Sequence, residues 1–147
     1  MIFRHSFTVA ARIQAVAEFH AASTSMADIT PPPIIVKIRQ APARLAEDDE
    51  MEFTMWLGPA PVHWLARIEH VSPVGFTDRQ VRGPFKCWQH RHSFIAIDEN
   101  TTRVDDEVTY SIRRHPWWGL VGLGMALGLP VLFAFRGWKT KKLLNGP

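Results

Sequence analysis

The sequence predicts an α+β fold in which an antiparallel sheet packs against one long C-terminal helix. Six or seven short segments alternate apolar and polar residues and are separated by turn residues, a pattern typical of consecutive strands with one buried side. The segment from 116 to 135 contains no charged residue and is long enough to cover such a sheet. The 147 residues fit one domain, and we assign residues 1–147 to it.

The N-terminal part predicts one strand followed by two short helices. Residues 2–9 are strand-like, with apolar residues separated by polar ones. Residues 10–20 change to helical spacing, because Ile13, Val16, Ala17 and His20 lie at i, i+3, i+4 and i+7. A second helix is predicted over residues 23–29, and the three prolines at 31–33 end it, since proline lacks the backbone N–H.

The middle of the chain predicts a run of strands joined by turns. Residues 34–39 are rich in β-branched residues, and residues 51–57 and 62–71 form a strand pair around a Gly-Pro-Ala-Pro turn. Residues 103–112 follow an Asn-Thr-Thr turn and alternate Val104, Asp106, Val108 and Tyr110 onto one face. Strands at such short spacing predict a meandering antiparallel sheet.

Residues 75–94 carry the most informative pattern. They read as two extended segments joined at Gly83-Pro84, a pair that marks a turn. Alternation places one set of side chains on the same face of these two strands: Phe76, Asp78, Gln80, Trp88, His90, His92 and Phe94. A face that mixes aromatic rings with carboxylate, amide and imidazole groups is typical of a cavity wall with convergent polar groups. The stretch therefore predicts a pocket.

The C-terminal segment leaves two interpretations open. About twenty uncharged residues suffice to cross a bilayer, and Gly124 and Gly128 form a GxxxG pattern of the kind found at helix contacts in membranes. Four glycines and Pro130 make this segment a poor intrinsic helix, however, and a sheet with an apolar face needs an apolar cover. A helix lying across the sheet satisfies both elements.

Composition excludes some classes of function. The net charge of +3 and the pI near 9.4 come mostly from the C-terminal end, with no basic stripe across the body, so we expect no nucleic-acid partner. The single cysteine, Cys87, excludes an internal disulfide framework and fits a reducing, cytoplasmic location. The N-terminal twenty residues lack an uninterrupted apolar core, and we interpret them as part of the fold.

Several motifs together resemble one known superfamily. They are Phe19-His20, Ile29-Thr30-Pro31-Pro32, Gly58-Pro59, Trp64, Phe76-Thr77-Asp78-Arg79-Gln80, Gly83-Pro84-Phe85, Trp88-Gln89-His90-Arg91-His92-Ser93-Phe94 and Asp106-Glu107-Val108-Thr109-Tyr110. With the order of the elements, they resemble the SRPBCC superfamily of START lipid-transfer domains, aromatic polyketide cyclases and plant pollen-allergen-like proteins. The similarity is to its uncharacterised bacterial, cyclase–dehydrase-like branch.

This resemblance implies a helix-grip fold, in which a curved antiparallel sheet wraps around the long C-terminal helix and encloses a mostly apolar cavity. It assigns residues 117–144 to that helix. The chain departs from the expected pattern in its glycine content and in Pro130, which predicts a kink or break. Fold does not fix function, since this superfamily includes both carriers and enzymes.

We therefore predict binding of a small hydrophobic or amphipathic molecule, or a lipid, in the cavity. The predicted cavity residues are Trp64, Phe76, Asp78, Gln80, Trp88, His90, His92, Phe94, Asp106 and Tyr110. The alternatives are a polyketide cyclase or dehydratase-like enzyme using the same cavity, with no catalytic residue assigned, and a protein anchored in a membrane through residues 117–135. A membrane surface that the C-terminal helix contacts peripherally is a further partner that the sequence leaves open.

His90 and His92 have the spacing of strand-borne metal ligands, with Asp78 or Asp106 as a third ligand. No further Cys or His falls at ligand spacing, and buried histidines are commonly satisfied by carboxylate partners instead. We expect no metal and no cofactor.

Overall fold

The computed structural model describes residues 1–145 and contains seven strands and three helices. The strands are β1 (Ile2–Val9), β2 (Ile35–Gln40), β3 (Glu50–Leu57), β4 (Ala60–Ser72), β5 (Gly75–Arg82), β6 (Cys87–Asp98) and β7 (Thr101–Ser111). The helices are α1 (Ile13–Ala21), α2 (Ser25–Asp28) and α3 (Pro116–Leu144). The predicted elements are all present, although α1 begins three residues later and α2 is shorter than expected.

The sheet is antiparallel throughout, in the order β1-β7-β6-β5-β4-β3-β2. From β2 to β7 each strand pairs with the next along the chain, as the tight turns predict. Only β1 breaks this order, because it pairs with β7 at the far end. The helix-grip α+β architecture is thus confirmed, with α1 and α2 following the first strand and α3 packed on the sheet.

Alternation along β4 decides which side of the sheet faces α3. Val62, Trp64, Ala66 and Ile68 are all buried, whereas His63 and Arg67 on the other face are exposed. The buried side packs against Leu129 and Phe133 of α3, whose side chains are only 2% and 1% exposed. The predicted one-sided sheet is therefore confirmed, and its buried side holds the core.

Helix α3 begins at a well-formed cap. Pro116 occupies the first turn, where its missing N–H costs nothing, and His115 Nδ1 accepts hydrogen bonds from the backbone N–H groups of Trp117 and Trp118 at 3.2 and 3.1 Å. The helix continues through Pro130 to Leu144.

Of the predicted kink or break at Pro130, the break is wrong, because α3 is one continuous helix. Proline removes one bond of the helical ladder, but Pro130 lies on the exposed side of α3, while Leu129 and Phe133 beside it are buried in the core. Packing of these neighbours on the sheet holds the helix together across the missing bond.

Candidate ligand-binding cavity

A cavity of about 290 Å³ lies between the inner face of the sheet, the two short helices and α3. Apolar side chains form most of its wall, and they include Met26, Ile29, Leu45, Met51, Phe53, Met55, Trp64, Trp88, Leu129 and Leu132. Its ionisable groups come from α1, β5, β6 and α3, namely His20, Asp78, His90, His92 and Arg136, and hydroxyl groups come from Ser23, Ser25 and Thr30. The wall thus combines a large apolar part with a few convergent polar groups, as is usual for small-molecule sites.

Strand register builds the polar part of the wall. Asp78 of β5 lies opposite His90 of β6, and His92 of β6 lies opposite Asp106 of β7. His90 Nε2 is 2.8 Å from Asp106 Oδ1, and His92 Nε2 is 2.9 Å from Asp78 Oδ2. The two imidazole rings have their centroids 3.8 Å apart. We call these four residues, Asp78, His90, His92 and Asp106, the His–Asp cluster.

Each imidazole of this cluster turns both nitrogens toward carboxylates. His90 Nδ1 lies 3.5 Å from Asp78 Oδ2, and His92 Nδ1 lies 3.4 Å from Asp106 Oδ1 without the geometry of a hydrogen bond. The two histidines and two aspartates therefore mainly satisfy one another, which agrees with the rule that buried polar groups have partners.

The two histidines have opposite protonation preferences. Burial lowers the pKa of His92, but the adjacent carboxylates of Asp106 and Asp78 outweigh it and raise that pKa to about 9. Burial and the charge of His92 lower the pKa of His90, so His90 is the neutral member. Although burial alone would raise the pKa of Asp106, the two adjacent histidines hold it well below its usual range, and they also lower the pKa of Asp78. The cluster thus holds two carboxylates and one imidazolium.

His20 of α1 contributes a different kind of group. Its Nδ1 lies 2.8 Å from the backbone carbonyl of Val16, which fixes the tautomer with the proton on Nδ1 and leaves Nε2 as an acceptor. Burial, with the charge of His92, lowers the pKa of His20 to about 4, so the ring is neutral near pH 7. Because its ring centroid is 4.8 Å from that of Phe94 and 5.8 Å from that of His92, it presents a neutral acceptor beside the His–Asp cluster.

Arg136 of α3 reaches into the cavity from the helical side. Its guanidinium carbon lies 5.4 Å from the centroid of the Phe133 ring, and its Nε is buried without a hydrogen-bond partner among residues 1–145. None of the ion pairs within this part of the chain includes Arg136. Burial lowers its pKa while the charges of Asp106 and Asp78 raise it, so these carboxylates act on it only from a distance.

Six of the ten predicted residues line the cavity: Trp64, Phe76, Asp78, Trp88, His90 and His92. Asp106 lies behind them and binds His90. Phe94 packs in a second core cluster with Val9, Val16 and Val104, and Tyr110 packs on Phe85 and Trp88 at the edge of the main core.

Gln80 braces the β5–β6 turn. Its Nε2 donates to the carbonyl of Phe85 at 2.9 Å, and its Oε1 accepts from the N–H of the same residue at 3.1 Å. Both polar ends of the side chain are therefore used within the turn.

Sequence reasoning missed His20 and Arg136 as cavity residues. His20 had a signal, because it ends the apolar stripe of α1, and a histidine on an apolar helix face needs a polar neighbour. Arg136 had a signal too, as the first charge after twenty uncharged residues, but the sequence does not show which way it points.

The cavity reaches the surface beside the glycine pair of α3. Gly124 and Gly128 line it and are also exposed, and a Cβ built on either residue meets no atom within 4 Å. Ile34 and Leu57 line the cavity from the β2 and β3 side. The missing side chains of the two glycines thus widen an opening between α3 and the surface.

One group of side chains has a geometry that suits a metal ion. Ligand atoms of Asp78, His90 and His92 lie within 4.8 Å of one another. The same atoms already make the contacts of the His–Asp cluster, so an ion would have to replace these contacts. The residues present therefore do not require a metal to be satisfied.

Solved structures with the same fold are found across several kinds of protein. The aromatase/cyclase ZhuI from Streptomyces sp. R1128 superposes with a TM-score of 0.69 and 18% identity over 97% of this chain and 95% of its own. Norcoclaurine synthase from Thalictrum flavum, solved with dopamine and hydroxybenzaldehyde, has a TM-score of 0.67 and 12% identity, with 97% of this chain and 85% of that chain covered.

A third structure, the nucleoside-diphosphate sugar epimerase from Corynebacterium glutamicum, gives a TM-score of 0.68 and 25% identity over 95% of this chain but only 28% of its own. No family model matches the sequence, and no curated protein matches it. At such identities the likeness shows the fold, and ZhuI and norcoclaurine synthase are members of the superfamily that the motifs resemble. The chain therefore has the helix-grip fold of the SRPBCC superfamily, as its motifs predicted.

Proposed function

We propose that the chain binds a small amphipathic molecule in the cavity between the sheet and α3. The observation that carries this proposal is the combination of an apolar wall with one group of charged and polar side chains that are already ordered by one another. A pre-formed cavity of about 290 Å³ is at the small end of ligand sites, and it suits a compact ring system better than a long lipid chain.

We favour ligand binding over catalysis because the histidines of the His–Asp cluster already interact with its aspartates. The Nε2 atoms of His90 and His92 are hydrogen-bonded to Asp106 and Asp78, and their Nδ1 atoms lie 3.5 and 3.4 Å from the same two carboxylates, so each ring nitrogen already faces a carboxylate of the cluster. A group that catalyses proton transfer must reach the proton that it moves. The cluster as built orders one end of the cavity and supplies a polar surface to the ligand.

The experiment is native mass spectrometry on protein purified without detergent, followed by binding of the fluorescent ring compound anthracene-9-carboxamide. We expect either a retained molecule or saturable binding of the probe. In Ala66→Phe a phenyl ring from the cavity wall occupies the space and should abolish binding, whereas Ala96→Phe, on the exposed end of β6, should not. Wild-type protein that retains no molecule and binds no probe would contradict the proposal.

An enzyme of the cyclase or dehydratase type is the second candidate, and His20 is the observation that favours it. Its Nε2 is held in place through the Val16 carbonyl and is unprotonated at pH 7, so it can accept the proton that a carbon between two ketones loses, although a pKa of about 4 makes it a weak base. The resulting carbanion would attack a second carbonyl carbon, and the imidazolium of His92 would return a proton to the new alkoxide. His20→Gln should then abolish turnover of a linear poly-β-ketone thioester while leaving its affinity within about threefold; unchanged turnover would exclude this role.

The outer face of α3 supports peripheral membrane contact as part of the same function. Leu120, Leu123, Leu127, Val131 and Trp138 form one exposed apolar stripe, with Leu127 75% and Val131 72% exposed. By length and composition α3 could span a bilayer, and only 17% of its most apolar 18-residue window is buried. An exposed apolar area of this kind marks an interaction surface.

The positive charge at both ends of α3 favours an anionic bilayer as the partner that contacts this stripe. Arg113 and Arg114 precede α3, three lysines lie near its end, and no Asp or Glu occurs after Glu107. The opposite side of the helix packs on the sheet, so the contact would be in the plane of the membrane. The opening beside Gly124 and Gly128 adjoins this stripe, which would let a ligand pass between lipid and cavity.

Vesicle co-sedimentation tests this contact. Wild-type protein should bind vesicles of phosphatidylcholine with phosphatidylglycerol more strongly than phosphatidylcholine alone, and Leu127→Glu should lose most of that binding. The matched control is Ile97→Glu, at an exposed apolar residue of β6. No vesicle binding, together with a dimer in solution that Leu127→Glu dissociates, would show that a second copy covers the stripe instead.

A further inference from the structure

Arg136 is the one cationic side chain that lines the cavity from the helical side. It belongs to the inner face of α3, one turn after Leu132 and beside Phe133, and its neighbours on that face are apolar or small. Its guanidinium lies near the Phe133 ring at 5.4 Å, a favourable contact for a cation but one that uses none of its five N–H donors. Arg136 as a whole is partly buried, and its Nε is buried without a hydrogen-bond partner among residues 1–145, so this unpaired donor costs free energy that a ligand acceptor would recover.

The two carboxylates whose charges act on Arg136, those of Asp78 and Asp106, are already bound to histidines. Asp78 interacts with His92, and Asp106 interacts with His90, at 2.9 and 2.8 Å. Neither lies within ion-pairing distance of Arg136 among the described residues. The guanidinium donors of Arg136 are therefore available to a molecule in the cavity.

We propose that Arg136 anchors the carboxylate of the bound molecule, so that the ligand is a compact amphipathic organic acid whose apolar body packs among Met51, Phe53, Trp64 and Trp88. This inference rests on the proposed function, because it needs a ligand in the cavity. A guanidinium matches a carboxylate in planar, two-bonded geometry, and the low-dielectric surroundings strengthen such a pair. The His–Asp cluster carries a net charge of −1 beside the positive charge of Arg136, so it repels a monoanion less than it would repel a dianionic phosphate monoester.

The test compares two probes of nearly equal shape, anthracene-9-carboxylate and anthracene-9-carboxamide, by fluorescence titration at pH 7. Wild-type protein should bind the carboxylate more tightly than the amide. Arg136→Met should weaken carboxylate binding about 10- to 100-fold, the loss expected for a charge-assisted hydrogen bond, while amide binding changes less than about threefold. Lys139→Met removes a positive charge from the same helix outside the cavity wall and should leave both affinities unchanged.

The outcomes separate this inference from the proposed function. Binding of neither probe by the wild-type protein would overturn both. Equal affinity of the wild-type protein for the two probes, or equal losses for both probes in Arg136→Met, would overturn the role of Arg136 while leaving a ligand cavity in place. The wild-type comparison does not depend on how any variant folds, and Arg136→Lys, which keeps the charge, should recover part of the carboxylate preference.

Discussion

His90 and His92 show how two identical side chains, two residues apart on one strand, acquire opposite properties. They share the same two carboxylate partners and their ring centroids lie 3.8 Å apart, so a second imidazolium beside the first is disfavoured. The carboxylates of Asp78 and Asp106 favour protonation of His92, and the resulting charge together with burial keeps His90 neutral. Protonation of the cluster thus belongs to the group as a whole.

The raised pKa of His92 predicts a loss of stability at alkaline pH. Its folded-state pKa of about 9 exceeds the usual value of 6.5, so its contribution is fully present below pH 6.5 and is lost as the pH rises to 9. A shift of this size corresponds to a change in the free energy of unfolding on the order of 3 kcal/mol. Urea unfolding at pH 6.5, 7.5 and 9 should show this fall in wild-type protein, and His92→Gln should show a much flatter profile.

The matched control for this pH experiment is His70→Asn, at an exposed residue of β4 outside the cluster. Its profile should follow that of the wild-type protein. A wild-type stability that stays constant between pH 6.5 and 9 would contradict the assignment of the imidazolium to His92.

A second prediction at the residue scale is that replacing Gln80 lowers the stability of the fold. Gln80→Met keeps the length of the side chain but leaves the buried N–H and C=O of Phe85 without partners. We expect the free energy of unfolding to fall by about 2–4 kcal/mol, since each unpaired buried group costs about 1–3 kcal/mol. Probe affinity measured under conditions where the variant is folded should stay within about threefold, and a larger loss of affinity would instead place Gln80 in contact with the ligand.

At the scale of the element, α3 combines three faces of different character. Its inner face packs on the sheet through Leu129 and Phe133, its opening face carries Gly124 and Gly128, and its outer face presents the apolar stripe. A helix that is apolar on nearly all sides resembles a membrane span in sequence, so the sequence alone does not distinguish a membrane span from a helix that covers the sheet.

Two glycine substitutions in α3 should change stability in opposite directions. A Cβ on Gly128 meets no atom within 4 Å, so Gly128→Ala should raise the free energy of unfolding by about 0.5–1 kcal/mol through helix propensity. A Cβ on Gly137 would lie 3.2 Å from His5 Cε1 and 3.2 Å from Phe7 Cδ1, so Gly137→Ala should lower it by about 1–2 kcal/mol despite the same gain in propensity. Urea unfolding measures both, and shifts of the same sign would contradict the packing of α3 on β1.

At the scale of the whole molecule, a ligand that binds only the folded cavity stabilises the fold. At a free concentration of one hundred times Kd, the gain is about 2.7 kcal/mol, which for a chain of this size is a rise in Tm of about 5–10 °C. Thermal unfolding with anthracene-9-carboxylate should show this rise in wild-type protein and none in the filled variant Ala66→Phe. An equal rise in both proteins would mean that the probe binds outside the cavity.

Much of the fold was predictable from local patterns. Alternation along β4 to β7 set which side chains share a face, and the Gly83-Pro84 turn set the pairing of β5 with β6, so Asp78, His90, His92 and Asp106 could be placed on one wall. Strand periodicity is a local property and needs no tertiary information. The helical spacing and the triple proline likewise located the short helices to within a few residues.

Tertiary packing decided the remainder. Gln80, Phe94 and Tyr110 share the predicted face but do not line the cavity. Gln80 binds the β5–β6 turn, Phe94 packs in the second core cluster, and Tyr110 packs at the edge of the main core. The position of a residue along a curved sheet therefore determines which residues its side chain contacts. Arg136 and His20 enter the cavity from helices whose rotation on the sheet no local pattern specifies. The sequence by itself determined the strands, their faces and the apolar C-terminal helix; only the docking of α1 and α3 on the sheet decided which polar groups meet, since that docking depends on contacts between residues far apart in the chain.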